Sequence, residues 1–293
     1  MQELAQQIVS GLATGSIFAS MALALVLIYR SMHVINFAQG GMAMFTTFIA
    51  WQLTAAGLPI WAAFATTIGV AFVGGFVLER VVIRPVERAT PLTILVVTLG
   101  LLLVLNGLAG WYWGYVLKSF PSPFPTAPIV VGGVSFSAQD VGVIAVSLAV
   151  MGALYLFFDR TKLGLAMRAA ALYPEQSRVF GIRVGWMQAL GWGLAAAVGA
   201  LSGLMIAPLV FLDPNMMDGI LVYAFAAAVL GGIESPVGAV VGGLALGVVL
   251  NLLGSYVEAI GTDLRLPVAF AIIVVVLLVR PAGLFGRAQT SRV

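Results

Sequence analysis

Long apolar runs alternate with short polar breaks from one end of the chain to the other. A helix crosses the hydrocarbon core of a bilayer with about 20 residues, and most of these runs reach that length. The pattern predicts spans over about Ile8–Tyr29, from the Gln39 region to Ala56, Pro59–Leu78, Leu92–Trp113, Val141–Phe158, Trp186–Phe211 and Val237–Leu253, with a last one ending at Val279. The segment Ile220–Ile233 is shorter. Gly231-Gly232-Ile233-Glu234-Ser235-Pro236 separates it from its successor, so it is either a further span or a broken, re-entrant helix. We read the chain as an all-α, polytopic membrane protein of about eight or nine transmembrane helices, one membrane domain over residues 1–293.

Small residues recur within the runs. Gly11, Gly15, Ala19 and Ala22 line the first, and Gly238, Ala239, Gly242, Gly243 and Gly247 line the one that begins near Val237. Spacings of three and four put such residues on one helix face, where another backbone can approach closely. Residues 114–137 hold Pro121, Pro123, Pro125, Pro128, Gly132 and Gly133, and read as a loop with a short hairpin.

The polar breaks sort by charge. Arg30, the cluster Arg80–Arg88, residues 159–185 and the C-terminal tail are basic; the loops holding Asp213, Asp218, Glu258 and Asp263 are acidic. Positively charged loops stay in the cytoplasm. With nine crossings every basic break falls on the cytoplasmic side, the N-terminus outside and the C-terminus inside. Fewer crossings would require the last segments to be redrawn. Val-Val-Ile-Arg84-Pro85-Val and Leu-Leu-Val-Arg280-Pro281-Ala both end a run at Arg-Pro. That echo fits a repeated half, and equally a proline that stops each helix beside an anchoring arginine.

The densest polar stretch is 159–185, with Arg160, Lys162, Arg168, Arg178 and Arg183 against Asp159 and Glu175. Leu163–Leu172 is alanine-rich and suits a short helix. Pro174 can open a second at its first turn, with Glu175 near the positive N-terminal end, and Gly181 would close it. This is either an ordinary cytoplasmic loop or a helix–turn–helix docking element for a soluble partner.

Composition narrows the chemistry. The 293 residues are 61% hydrophobic and 9% charged, where water-soluble domains are nearer half and a quarter. The net charge of +3 needs no nucleic acid. There is no Cys and a single His, so disulfides, thiolate nucleophiles and cysteine metal sites are excluded and His33 reads as interfacial. The N-terminus lacks the basic region of a cleavable signal, so the first run reads as a span. A P-loop, an HExxH motif and a Ser/His/acid set are absent, so no ATP, metal or other cofactor is expected on this chain. The polar residues in or beside apolar runs are Asn36, Gln39, Asn106, Glu234 and Asn251. Amides there either hydrogen-bond across helices or line a path.

Ile35-Asn36-Phe37-Ala38-Gln39-Gly40, Glu79-Arg80-Val-Val-Ile-Arg84-Pro85-Val, Gly164-Leu-Ala-Met-Arg168-Ala169, Gly181-Ile182, Ala228-Val-Leu-Gly231-Gly232-Ile, Pro236-Val-Gly238-Ala-Val-Val-Gly242-Gly243 and Arg280-Pro281-Ala-Gly283-Leu-Phe-Gly286 run in order along nearly the whole chain. Together they resemble the membrane permease subunits of branched-chain amino acid ABC importers, the shorter of two paralogous permeases. The resemblance implies a multi-pass pore of the bacterial inner membrane with the ABC importer permease fold. Its partners would be two cytoplasmic ATP-binding subunits, a second permease forming a heterodimer, and an external solute-binding protein. The chain itself would not be an enzyme, because the partners hydrolyse ATP. Residues 163–183 would be the ATPase-coupling element, with Gly164, Arg168, Ala169, Pro174, Glu175 and Gly181. Asn36, Gln39, Tyr223, Glu234 and Asn251 become the candidate solute path.

Departures from the family pattern fall on that path. The family usually has His at Gln39, often an acid at Gly41, Lys at Tyr223, Gly at Glu234 and an acid at Asn251. The cargo implied is a branched-chain or another amino acid, with an amide or urea-like solute or a small carboxylate as alternatives. An ion-coupled secondary transporter would need intramembrane ionisable groups, which are few here. A membrane-embedded enzyme or scaffold is opposed by the missing catalytic set.

Overall fold

The computed structural model describes residues 2–87, 89–125, 127–131, 134–257, 261 and 264–286. The expectations placed on Arg88, Gly132, Gly133, Glu258, Asp263 and the tail 287–293 lie outside the described residues. The chain is built almost wholly of helices: α1 (Gln2–Met32), α2 (Gln39–Ala55), α3 (Ile60–Leu78), α4 (Pro91–Trp113), α5 (Ala138–Arg160), α6 (Lys162–Leu172), α7 (Pro174–Val179), α8 (Val184–Val210), α9 (Asp218–Gly231), α10 (Pro236–Tyr256) and α11 (Arg265–Val279). One antiparallel hairpin, β1 (Pro128–Val131) with β2 (Val134–Ser137), lies in the proline-rich loop and pairs Pro128 with Ser137. α3 widens at its end into a π-helical turn, Glu79–Ile83, and then tightens into a 3-10 turn, Arg84–Val86.

Among the described residues, six helices are long and apolar enough to cross a membrane: α1, α3 with its two turns, α4, α5, α8 and α10. The protein is therefore multi-pass. The shorter helices α2, α9 and α11 have 17, 14 and 15 residues. At about 1.5 Å per residue α9 spans only about 21 Å, against a hydrocarbon core of about 30 Å. The loop that precedes it is packed inside the protein. Leu212, Met216 and Met217 are buried, and Leu212 and Lys118 exchange backbone hydrogen bonds of 2.8 and 3.0 Å. Irregular backbone at membrane depth is tolerated where protein surrounds it.

α1 is the central post. Its apolar window is 89% buried, against 22% for α4 and 28% for α3 and α5. It packs on α10, α8, α9 and α5. The face it offers α10 is the small-residue face: a Cβ on Gly15 would sit 2.9 Å from the Gly243 carbonyl oxygen, and one on Gly11 2.7 Å from Val248 Cα. Between apolar helices in lipid, such backbone approach supplies the dispersion contacts that hold the pair. α8 supplies a second close contact through Trp192, which is buried and donates from Nε1 to Met32 Sδ at 3.2 Å.

The helix ends gather by charge. Arg80 lies over the ring of Trp186 at 4.4 Å, and the Arg84 guanidinium lies against Gly185, both at the start of α8. Arg30 shares cavities with Arg168 of α6 and, across another wall, with Glu234. The C-terminal turn folds back to the same end, where Leu284 N–H donates to the Leu230 carbonyl at 2.9 Å and Phe285 N–H to that of Gly231 at 2.9 Å. The opposite end holds the Asn251–Gln7 and Trp113–Gln52 hydrogen bonds and the Lys118–Trp51 contact.

The α1–α10 approach predicts a stability difference between two glycines. Gly15→Val drives a side chain into backbone atoms and is expected to cost about 2 kcal/mol or more. Gly69→Ala, in α3 with nothing within 4 Å of a new Cβ, is expected to be neutral or stabilising by about 0.5 kcal/mol. Thermal unfolding of the detergent-extracted protein, followed by tryptophan fluorescence, separates the two.

Candidate functional site

Two groups of residues carry the functional signal: the surface helices α6 and α7, and the polar residues along the bundle.

α6 begins where α5 ends. Thr161 caps it, its hydroxyl accepting from Gly164 N–H at 2.9 Å. Gly164 is buried against the last turn of α5, where a Cβ would strike the Phe157 carbonyl and Phe158. Glycine at this position lets the chain reverse tightly out of the bundle. Met167 and Ala170 continue the inward face of α6. Arg168 is half-buried, 3.7 Å from Asp159, and Ala169 is half-buried beside it. Pro174 stands in the first turn of α7, as its fixed φ favours. The Glu175–Arg178 ion pair closes at 2.6 Å; as an exposed pair it adds only a few tenths of a kcal/mol. Gly181, at φ +81°, ends the helix: its N–H donates to Arg178 O at 3.0 Å and Ile182 N–H to Ser177 O at 2.9 Å. That double closure requires a left-handed residue at Gly181.

The outer face of this pair is apolar where it should be polar. Val179 and Phe180 are each 85% exposed, and Leu172 and Tyr173 stand out beside them. Exposed aromatic and aliphatic side chains in a basic, polar frame mark an interaction surface.

The bundle residues divide into paired amides and open charges. Asn36 and Gln39 are fully buried. Asn36 Oδ1 accepts from Ala38 N–H at 3.0 Å, and its Nδ2 donates to Gln39 Oε1 at 3.3 Å; Gln39 Nε2 donates to the Ala195 carbonyl of α8 at 2.8 Å. The pair ties the start of α2 to the middle of α8. Asn251 is partly buried and donates to the Gln7 carbonyl at 2.8 Å and to Gln7 Oε1 at 2.7 Å, joining α10 to α1 at the other end. Tyr223 is half-buried with its ring 4.8 Å from that of Phe18. Glu234 is exposed, in the break between α9 and α10. Gln39, Tyr223, Glu234 and Asn251 therefore lie at different levels of the bundle, and no single chamber gathers them.

Two residues that matter were absent from the sequence-derived set. Arg30 reads in sequence as an anchor at a span end, yet it lines three adjoining cavities, two of them with Arg168 and the third with Glu234. Glu79 reads as part of a basic cluster, yet it is fully buried, 4.0 Å from Arg80 Nε, and its carboxylate has no hydrogen-bond partner among the described residues. The π-helical turn that begins at Glu79 was the missing signal, and no local sequence pattern announces it. Among the described residues no group of His, Cys, Asp and Glu could hold a metal ion.

Comparison with known proteins accounts for this architecture. Residues 7–277 match the family described as branched-chain amino acid transport system / permease component. The chain is 32% identical to the high-affinity branched-chain amino acid transport system permease protein BraD of Pseudomonas aeruginosa, over 98% of this chain and 97% of that protein. It is 31% identical to LivH of Escherichia coli over the same shares, and 28% identical to the probable permease LivH of Methanocaldococcus jannaschii over 91% of this chain and 87% of that protein. These relatives are named as transport permeases, not enzymes. PsaBC from Streptococcus pneumoniae, solved in complex with a Fab, has a chain that superposes with a TM-score of 0.50 at 12% identity, covering 96% of this chain and 93% of that one, so the two share a fold. The chain belongs to the branched-chain amino acid transport permease family.

Proposed function

We propose that the chain is the membrane-spanning permease subunit of an ATP-driven importer for an amino acid, branched-chain by the names of its relatives, in a bacterial inner membrane. The basic end faces the cytoplasm, α2, α9 and α11 complete nine crossings, and residues 1–293 form one membrane domain. The single observation that carries the reading is the α6–α7 surface: a capped, doubly closed helix pair holding Val179 and Phe180 out at 85% exposure, at the basic end of an otherwise apolar bundle. At the basic end of the bundle, away from the apolar spans, side chains this apolar and this exposed mark a surface that a partner covers.

The partner is a soluble ATP-binding subunit, two per complex with a second permease, fed by an external solute-binding protein. Gly164, Arg168, Ala169, Pro174, Glu175 and Gly181 shape the coupling element, and Phe180 is its apolar anchor. Gly164 packs α6 onto the end of α5 so closely that a push on the surface pair is transmitted to the span rather than absorbed by a loop. Asn36, Gln39, Tyr223 and Asn251 hold helices in register along the path, and Glu234 faces the solute.

Phe180→Ala is expected to lower retention of the ATP-binding subunit about tenfold or more, and ATP-driven uptake with it, at an unchanged amount of chain in the membrane; Arg168→Glu should act likewise. Pull-down with quantitative mass spectrometry checks it, and full retention in both variants would remove the assignment. The amides and the acid are expected to part company. Gln39→Ala removes the tie to the Ala195 carbonyl and leaves the buried Asn36 Nδ2 without its amide acceptor, and should destabilise the protein by about 1–3 kcal/mol, whereas Glu234→Ala should leave thermal stability alone and alter uptake. A thermal melt and a transport assay on each variant decide between these roles.

A further inference from the structure

At the basic end of the bundle, the last turns of α1, the Gly232–Pro236 break, the end of α6 and the C-terminal turn enclose a cleft of about 560 Å³. Tyr29, Arg30, His33, Leu172, Glu234 and Phe285 line it. Small-molecule sites run from about 300 to 1,000 Å³, so the volume admits a solute the size of an amino acid with water. His33, which ends α1 at φ +55°, stands exposed at its edge.

Two walls of the cleft carry opposite charge. Arg30 is half-buried and Glu234 exposed, and among the described residues neither is engaged in an ion pair. Arg168 of α6 shares the two neighbouring cavities with Arg30 and keeps that wall basic. A simple anion would be repelled by Glu234 and a simple cation by Arg30. A neutral solute would leave both charges without a counter-charge. A zwitterion satisfies both, since the carboxylate can take the guanidinium's paired donors and the ammonium the carboxylate oxygens. Tyr29, Leu172 and Phe285 leave apolar surface for a hydrocarbon side chain.

We propose that this cleft binds the zwitterionic backbone of the transported amino acid at the basic end of the permease, Arg30 holding the carboxylate and Glu234 the ammonium. The proposal rests on the permease reading above and adds a solute site to it. Leu172 belongs to α6, so a shift of the docking surface moves one wall of the cleft and couples partner movement to release.

The test uses the complex extracted gently from membranes and placed in nanodiscs without binding protein, titrated by ligand-observed NMR. The probes are L-leucine, 3-methylbutylamine, which lacks the carboxylate, and 4-methylpentanoate, which lacks the ammonium. L-leucine is expected to bind about ten- to a hundredfold more tightly than either truncated probe. Glu234→Gln, isosteric and exposed, should weaken leucine to the level of 4-methylpentanoate without weakening 4-methylpentanoate itself, and Arg30→Gln should give the mirror result with the amine. Equal leucine binding by the parent and Glu234→Gln overturns the site. So does an absence of saturable leucine binding in a preparation that still imports leucine with ATP once binding protein is restored. Loss of ATP-dependent import from the parent complex would count against the permease reading instead, and Glu234-dependent leucine binding would still support the cleft.

Discussion

Helix contact within a bilayer receives no help from the exclusion of water, because lipid tails are as apolar as the side chains they touch. The bundle therefore depends on how closely two backbones can approach, and α1 meets that condition. Gly11 and Gly15 lie against Gly243, Leu244, Gly247 and Val248 of α10 with no room for a side chain between them. Around this dry seam α8, α9 and α5 complete the sheath of α1, while α3, α4 and α5 present large apolar side chains outward to lipid or to another subunit. Two polar features at the ends of the bundle take their position from that seam, since Arg30 hangs from one end of α1 and Gln7 from the other.

Polar groups are then sorted by what the surroundings permit. An amide in an apolar interior must find a partner or cost several kcal/mol, and Asn36, Gln39 and Asn251 all find one in a neighbouring carbonyl or amide. Charges stay near the helix ends, where water can reach them. Glu79 departs from this most sharply among the described residues. It is buried without a hydrogen bond beside Arg80, whose guanidinium is turned instead onto the faces of Phe76 and Trp186. A buried carboxylate with a counter-charge only at 4.0 Å and no hydrogen bond is expensive, and it sits in the π-helical turn between α3 and the Arg84-Pro85 corner, next to the start of α8.

The surface helices and the cleft form one mechanical unit. α6 leaves α5 through the Gly164 contact, carries Arg168 into the cavities it shares with Arg30, and ends at Leu172 in the wall of the cleft. Its outer continuation, α7, holds Phe180 in solvent. Phe180 is thus two short helices away from the cleft of Arg30 and Glu234, with only Tyr173 between the two helices.

Much of this was legible in the chain alone. Apolar run length determined which segments become long helices, because a backbone in lipid must satisfy its own hydrogen bonds. The α6–α7 turn was legible from Pro174 and Gly181, since one sets φ for a first helical turn and the other accepts the left-handed closure that a helix end requires. The small-residue faces of α1 and α10 were visible as spacings. That the two faces meet each other was decided by tertiary packing, because spacing names a sticky face and not its partner. Tertiary structure also decided that Gln39 bonds to Ala195, that the loop before α9 buries Leu212, Met216 and Met217, and that Arg30 and Glu234, 204 positions apart in the chain, stand across one cleft. Local sequence records which conformations a segment prefers; the charge that faces another charge is set only when the helices between them have packed.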